Sequence, residues 1–402
     1  MNKKTIFILG GGLEQLEAIK MSKELNLSVI VSDKNKNAPG IIHSDKFYNL
    51  SIQDFKGNLA IAKKHKTNGV FTLCSEVAVP TVAKITSKLK LMGISIETAK
   101  LSTNKIKMKN RFKKKNIKTP EFASIKDHDE YKKFIKKNKF PFVLKPTDAS
   151  GQKGIELINN SRDIKKKINI IKSFSSDKKV LIEKFYNGYE LNVVALVENK
   201  KVKFLSISHR KTSIKKSFGI ATEHIYPSKL NNTQLKELKK LCIKSIKSIG
   251  LINGVAYPQV ILTDNDEFYL IEIASRIPGG YMREMALMAS GIDPIEFMIH
   301  HCLGYKNSLA RCKKHIKKKS IYIKFFTKLD FEKIKYIKRI KGLNNAKKTK
   351  GIYDIFFRKT KQIPKLNSSH DRFGAILAYG NNITQAINNV KKSINKIDFV
   401  KK

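Results

Sequence analysis

Three stretches of this 402-residue chain carry residue types at spacings that could do chemistry. The sharpest is 255–276. Asn265 and Asp266 suit a two-residue hairpin turn. In that register the pairs 264/267 and 259/272 have the same sum, so Gln259 and Glu272 stand side by side on one face. Side chains alternate along a strand, which adds Ala274 and Arg276 to that face if the strand stays extended. A carboxylate, an amide oxygen and a guanidinium together suit a magnesium-bound polyphosphate, with hard oxygens on the metal and Arg on phosphate oxygens. The competing reading is a cross-strand ion pair on a solvated face. Against it stand the apolar neighbours Ile271 and Ile273, and Pro278-Gly279-Gly280 directly after.

The second stretch runs from Lys145 through Pro146, Thr147, Asp148, Ala149, Ser150, Gly151, Gln152 and Lys153 to Gly154. A strand ends in Lys, and a small-residue loop with two glycines leads to the next strand. Such a loop can turn backbone N–H groups toward phosphate while Lys145 supplies a point charge. No Gly-Lys-Ser/Thr opens a helix, so it is not a Walker-type loop, and alone it also fits an ordinary hairpin. The third stretch is Glu183-Lys184-Phe185-Tyr186-Asn187-Gly188-Tyr189-Glu190. There Glu183 would suit an exocyclic amine and Glu190 a pair of ribose hydroxyls. At the start, Gly10-Gly11-Gly12 and Asp33 suggest a dinucleotide fingerprint, but Gln15 occupies its third glycine position. His43, His209, His224, His300 and His301 lack metal-ligand spacing, and no nucleophile–base pair stands out.

These residues need a scaffold. Residues 5–9, 27–31 and 70–73 are short β-branched runs separated by helical patterns, which predicts a parallel α/β unit ending near residue 100. A Lys-rich helix follows over 102–120. From there the pattern changes to hairpins, with strands over 140–145, 155–158, 180–182, 190–197, 255–262 and 267–273. Asn231 or Asn232 caps a helix that stops at Gly250. The predicted architecture is α/β plus α+β, with a Rossmann-like domain at 1–100, an antiparallel-rich α+β domain at 101–305 and a small α+β cap at 306–402.

A hydrophobic share of 41% and an aromatic share of 9% can fill a real core. Lys3 and Lys4 lead into a short apolar run that stops at Gly10, unlike a secretory leader. No apolar stretch approaches the roughly 20 residues that cross a bilayer. Four cysteines without pairing spacing predict reduced thiols in a cytoplasmic protein. The formal net charge is +48, yet nearly all of it is Lys, spread along the whole chain together with abundant Ile and Asn. Biased base composition accounts for that without a polyanionic partner. Nucleic-acid readers use Arg forks and interleaved aromatics, and no such cluster is present.

Taken in order, the motifs resemble the ATP-grasp superfamily over nearly the whole chain, particularly its carbamoyl-phosphate-synthase-like and amino-acid-ligase-like branches. Lys145 is similar to that fold's strand-end lysine, and 148–154, with Ser150, Gly151 and Gly154, to its phosphate-covering loop. Asn104-Lys105 followed by Phe112 and Ile117-Lys118-Thr119-Pro120 is similar to the segment whose basic residue touches the nucleotide, here Lys105. Glu183, Lys184 and Phe185 look like the adenine hinge, with Glu190 on the ribose. Ile271 to Arg276 resembles the metal-binding strand, and Arg372-Phe373-Gly374 a recurring C-terminal strand start. Two departures stand out. Gln259 replaces the usual acid, as in the carbamoyl-phosphate-synthase-like branch. Ala274 replaces the usual Asn, which removes one ligand unless Ser275 or a water compensates.

The resemblance implies an ATP-grasp fold of two α+β subdomains sandwiching ATP, after a Rossmann-like domain. It implies magnesium, with manganese as the alternative, on Gln259 and Glu272. Arg276 and Lys145 would be catalytic, and a substrate carboxylate would be activated as an acyl phosphate and passed to an amine. The donor pocket would lie between the first domain and the grasp core, with Gly12, Glu14 and Glu76 in its wall and a looser expectation for His209 and Arg210. Partners would be small carboxylates and amines, with a homodimer as the default and neither nucleic acid nor membrane. The rival readings are a carboxylase or carbamoyl-phosphate-type enzyme, and a nucleotide-binding protein without ligase activity.

Overall fold

The computed structural model describes residues 3–212, 218–331, 334, 336–360 and 362–401. Its first unit is a four-stranded parallel sheet in the order Lys46–Asn49, Ser28–Asp33, Thr5–Leu9, Gly69–Phe71. Ile6, Phe7, Ile8 and Leu9 are all fully buried, as a strand covered on both faces requires. The glycine turn after Leu9 is filled from within. Gly11 donates to the Asp33 carboxylate at 2.9 Å, and Gln15 Nε2 donates to the Leu73 carbonyl at 2.7 Å. Asp33 is thereby the fastener of its own turn.

The expected single helix over 102–120 is two helices, Ile96–Thr103 and Lys105–Lys114. Asn104 breaks them: extended at φ −118°, ψ 110°, it ends the first and caps the second by accepting from Lys107 N. The division placed at residue 100 therefore falls inside a helix. At the other end, three strands of the region assigned to a separate cap continue the main sheet, while Ile337–Lys341 and Asp398–Lys401 pair with each other. That sheet has eight antiparallel strands in the order Phe268–Ala274, Gly254–Thr263, Gly188–Glu198, Lys201–Thr212, Ala221–Tyr226, Ser320–Phe326, Gly374–Gly380, Ile352–Phe357. No architectural break occurs at 305.

The sheet's two faces bury different partners. Leu191, Val193 and Ala195 face helices Lys105–Lys114 and Asn232–Ser248, the latter opened by the expected Asn231 cap. Val194, Leu196 and Tyr257 face the first unit and helices Met282–Ser290 and Pro294–Cys302. A smaller sheet, in the order Phe122–Ile125, Val180–Lys184, Phe142–Pro146, Glu156–Ile158, packs under helices His128–Lys137 and Ile164–Lys172. No helix among the described residues is long and apolar enough to cross a membrane.

The hairpin 254–274 pairs Gln259 with Glu272, as its spacing predicts, but by another route. The turn holds three residues, not two: Thr263 N–H donates to the Glu267 carbonyl at 3.0 Å, and Asp266 sits at φ 60°. That shifts the register by one, giving Leu262–Phe268 and Val260–Leu270. A β-bulge at Ile271 shifts it back, so two irregularities cancel at Glu272. The bulge also turns Ile271 to the same side as its neighbour, and both line one cleft.

Phe112 is fully buried beneath Leu270 and Ile273, and it docks the helix that begins with Lys105. Phe112→Ala should cost about 3–5 kcal/mol, read as a lower denaturant midpoint at unchanged slope.

Candidate active site

A cleft of about 740 Å³, open to solvent, lies between the small sheet and the main sheet. Val143, Ile155, Phe185 and Leu191 give it apolar walls, while Lys145, Glu183, Glu190, Gln259 and Glu272 supply charge and hydrogen bonds. The expected residues thus converge from five strands. The Gln259 amide donates to Glu272 Oε1 at 2.8 Å. Lys105 Nζ stands 3.9 Å from Glu272 Oε2 and donates to the Ala149 carbonyl at 2.7 Å, tying its helix to the glycine loop. Burial alone would raise the Glu272 carboxyl, but Lys105, Lys145 and Arg210 outweigh it and hold the group below its ordinary range.

Glu183 lies in the cleft wall and is engaged within the protein. It is 2% exposed, with Lys109 Nζ 2.5 Å from Oε1 and Lys145 Nζ 2.5 Å from Oε2. Burial pushes its carboxyl up, yet the two ammoniums prevail and bring it down to about 2. Glu183 thus lines the cleft with both carboxylate oxygens already facing ammonium groups of the protein. The neighbouring hinge groups are engaged too. The Lys184 N–H donates to the Glu121 carbonyl at 2.8 Å, its ammonium reaches the Lys139 carbonyl, and the Phe185 N–H donates to the Pro141 carbonyl at 3.1 Å. Glu190 lines the cleft, but Arg210 Nε stands 2.5 Å from its Oε2 and Thr212 donates to Oε1 at 2.9 Å.

In the glycine loop, Gly151 at φ 68° and Gly154 at φ 71° occupy the left-handed region. A side chain at Gly154 would meet the Phe174 ring at 2.6 Å. Asp148 accepts from Ser176 N–H at 3.1 Å, and Ser150 accepts from Lys153 N–H at 3.4 Å.

Arg276 turns away from the cleft to Glu76, with NH2 2.8 Å from Oε1, while its buried Nε has no partner. Glu14 lies beside Gly279, its Oε2 3.2 Å from where a side chain there would begin. Ser275, the candidate stand-in for the missing Asn, is buried and shares a 2.6 Å hydrogen bond with Ser102, so its hydroxyl is taken. Strand parity separates His209 from Arg210. Arg210 faces the cleft, while His209 lies on the opposite face against Tyr189, ring centroids 4.4 Å apart.

Four contributors were not singled out from sequence. Lys109 follows Lys105 by four residues, one helical turn on, and its inward face is readable only from Met108 and Phe112 beside it. Tyr257 lies two residues before Gln259 on the same face, and burial pushes its phenol up to about 12 amid Arg210, Arg276, Glu272 and Arg372. Phe218 meets the Phe185 ring edge-on with centroids 5.7 Å apart. Ile271 enters through its bulge.

The pattern of the family described as carbamoyl-phosphate synthase L chain, ATP binding domain, matches residues 104–309. The chain is 28% identical over 309 residues to the D-alanine–D-alanine ligase of Buchnera aphidicola, covering 74% of this chain and 96% of that protein. Its structure is similar to that of phosphoribosylglycinamide synthetase from Anaerococcus prevotii, with a TM-score of 0.79, 25% identity and full coverage of both chains. It is also similar to L-amino acid ligase from Bacillus licheniformis, with a TM-score of 0.82, 18% identity and full coverage of both chains.

Removing one cation from a buried ion cluster leaves the anion short of charge. Lys109→Met should therefore lower stability by about 3–5 kcal/mol, measured by equilibrium unfolding at neutral pH. A second expectation concerns acid. Glu183 has its folded pKa depressed from 4.5 to about 2, so its contribution is whole above the higher value and lost as pH falls toward the lower. The stability gap between wild type and Glu183→Gln should shrink over that window, and a gap that stayed constant would contradict the buried pairing.

Proposed function

This chain belongs to the carbamoyl-phosphate synthase L-chain ATP-binding-domain family, and from that premise we propose how its site works as an ATP-dependent ligase. The enzyme has an ATP-grasp fold. It activates a substrate carboxylate as an acyl phosphate and passes it to an amine, forming a C–N bond. The single observation that carries the residue assignment is the Gln259–Glu272 pair with Lys105 and Lys145 beside it, at the rim of an apolar cleft.

Adenine enters between Val143, Ile155, Phe185 and Leu191. Its phosphates run toward Lys145 and Lys105, with the 148–154 loop above them, and the ribose approaches Glu190. For the metal, the donor set is one carboxylate and one amide. No cluster of three His, Cys, Asp or Glu side chains able to hold an ion occurs among the described residues. Such a pair fits magnesium, which takes its remaining ligands from phosphates and water. Bound to Gln259 and Glu272, the ion would neutralise charge on the transferring phosphoryl group. Manganese accepts the same hard oxygens.

The chain's own groups then act by placement. Lys145 and Lys105 hold the phosphate oxygens as charge builds on them. Arg276, paired with Glu76 beside the nucleotide cleft, supplies positive charge on the donor side, and the amine displaces phosphate from the acyl carbon. No protein nucleophile is required, since orientation of the reactants supplies the rate.

Thermal unfolding with and without Mg-ATP tests the site first. Nucleotide at a hundred times its dissociation constant should add about 2.7 kcal/mol in wild type. Glu272→Gln should abolish the magnesium-dependent part of that shift. In a screen of carboxylate and amine pairs, it should reduce phosphate release about 100-fold or more. A variant that kept wild-type turnover would remove Glu272 from the metal role, and no shift in either protein would sink the nucleotide reading.

A further inference from the structure

The cations gathered around Glu183, Glu272 and Tyr257 meet carboxylates, with the exception of Arg372. Lys105 approaches Glu272, Lys109 and Lys145 share Glu183, Arg210 holds Glu190 and Arg276 holds Glu76. Arg372 opens strand Gly374–Gly380 from the Phe373 side and has no acidic side chain within ion-pair distance among the described residues. Its Nε donates to the Ala221 carbonyl at 3.1 Å, and its guanidinium lies 3.8 Å from the Phe325 ring centroid. Burial, and then the like charge of Arg210, weaken its hold on the proton. Burial, and then the charges of Arg372 and Arg210, push His224 well below its ordinary range, so it stays neutral and adds no further positive charge. One terminal nitrogen of Arg372 lies against Gly280, 3.3 Å from where a side chain would begin. Glu14 opposes the weakened hold on the proton from beyond ion-pair distance, and an anion bound beside the half-buried guanidinium would supply the direct partner that no described side chain gives it.

The segment that carries Arg372 is fastened to the glycine loop. Ser369 donates to the Gly151 carbonyl twice, from its N–H at 2.9 Å and from its hydroxyl at 3.1 Å. Ser368 and Asp371 close a reciprocal cap around the same turn, and Arg358 donates to the His370 carbonyl. The loop that would cover the phosphates thus grips the residue three positions before the unpaired guanidinium.

We propose that Arg372 binds the oxyanion of the donor substrate, the carboxylate before phosphorylation and the acyl phosphate after it, and that the Ser369–Gly151 link places it when nucleotide is bound. It rests on the nucleotide site proposed above. Gly280 leaves the approach to the guanidinium clear, and the buried Tyr257 phenol lies within the electrostatic reach of both Arg276 and Arg372. Nucleotide and donor anion therefore bind with positive coupling, each raising the other's affinity equally.

The experiment titrates the full chain with orthophosphate and, separately, with acetate, each with and without saturating Mg-ADP, by calorimetry. Wild type should bind at least one anion more tightly with Mg-ADP present, by about fivefold or more. Arg372→Met should weaken that binding by about 10- to 100-fold while leaving Mg-ADP affinity unchanged, and Arg372→Lys should recover part of it. Ser369→Pro removes both donors to Gly151 at the first position of its turn, which proline accepts. It should still bind Mg-ADP but lose the coupling. Wild type that binds Mg-ADP and neither anion would overturn the inference, as would Arg372→Met with wild-type anion affinity or Ser369→Pro with intact coupling. Wild type that fails to bind Mg-ADP would instead indict the nucleotide site itself.

Discussion

The interaction on which the rest depends is the buried Lys109–Glu183–Lys145 cluster. It joins helix Lys105–Lys114 to two neighbouring strands of the small sheet, Val180–Lys184 and Phe142–Pro146. Each charge taken from water here costs several kcal/mol, so the cluster persists only with its members in contact. That requirement fixes where the small sheet sits on the helix. It also sets the height of Lys145 above Glu272, which belongs to the other sheet. Around the nucleotide slot, Lys105, Lys109, Lys145 and Arg210 stand against Glu183, Glu190 and Glu272, leaving one positive charge in excess before any polyphosphate enters.

Much of the scaffold was legible because periodicity survives tertiary context. The parallel unit follows from buried β-branched runs, and the Asn231 cap from residue type alone. The Gln259–Glu272 pairing was legible for a less direct reason. A sum of residue numbers ignores a shift of one register made at the turn and unmade at Ile271. The bulge could not be foreseen, since it depends on what packs on each side of the strand, and so Ile271 was taken for core rather than cleft.

Other features were hidden by composition or by partners far along the chain. Lys109 is one lysine among many in a helix where five of ten residues are Lys. Only its burial beside Glu183 distinguishes it, and that contact spans 74 positions of sequence. Glu183 looked free because a motif shows the residue and not its occupants. The break at Asn104 was legible in type, as a good capping residue inside a basic run, but the run's continuous helical pattern masked it. The C-terminal strands read as a separate cap because sequence gives no signal for which sheet a strand joins.

The chain's basicity itself sharpens where function resides. Nine of its 81 basic residues are arginine, and Arg210, Arg276 and Arg372 converge around one phenol, Tyr257. A composition that favours Lys supplies charge anywhere on the surface, and a flexible ammonium serves there as well as a guanidinium. At these three positions it would not. Arg210 meets Glu190 through Nε, Arg276 bonds both Glu76 and the Ile277 carbonyl, and Arg372 lies flat on Phe325 while donating edgewise to Ala221. Each arrangement uses a planar fork with several donors at fixed angles, which lysine lacks. The overall charge of +48 is therefore uninformative about partners, whereas three of the nine arginines gather around a single buried phenol.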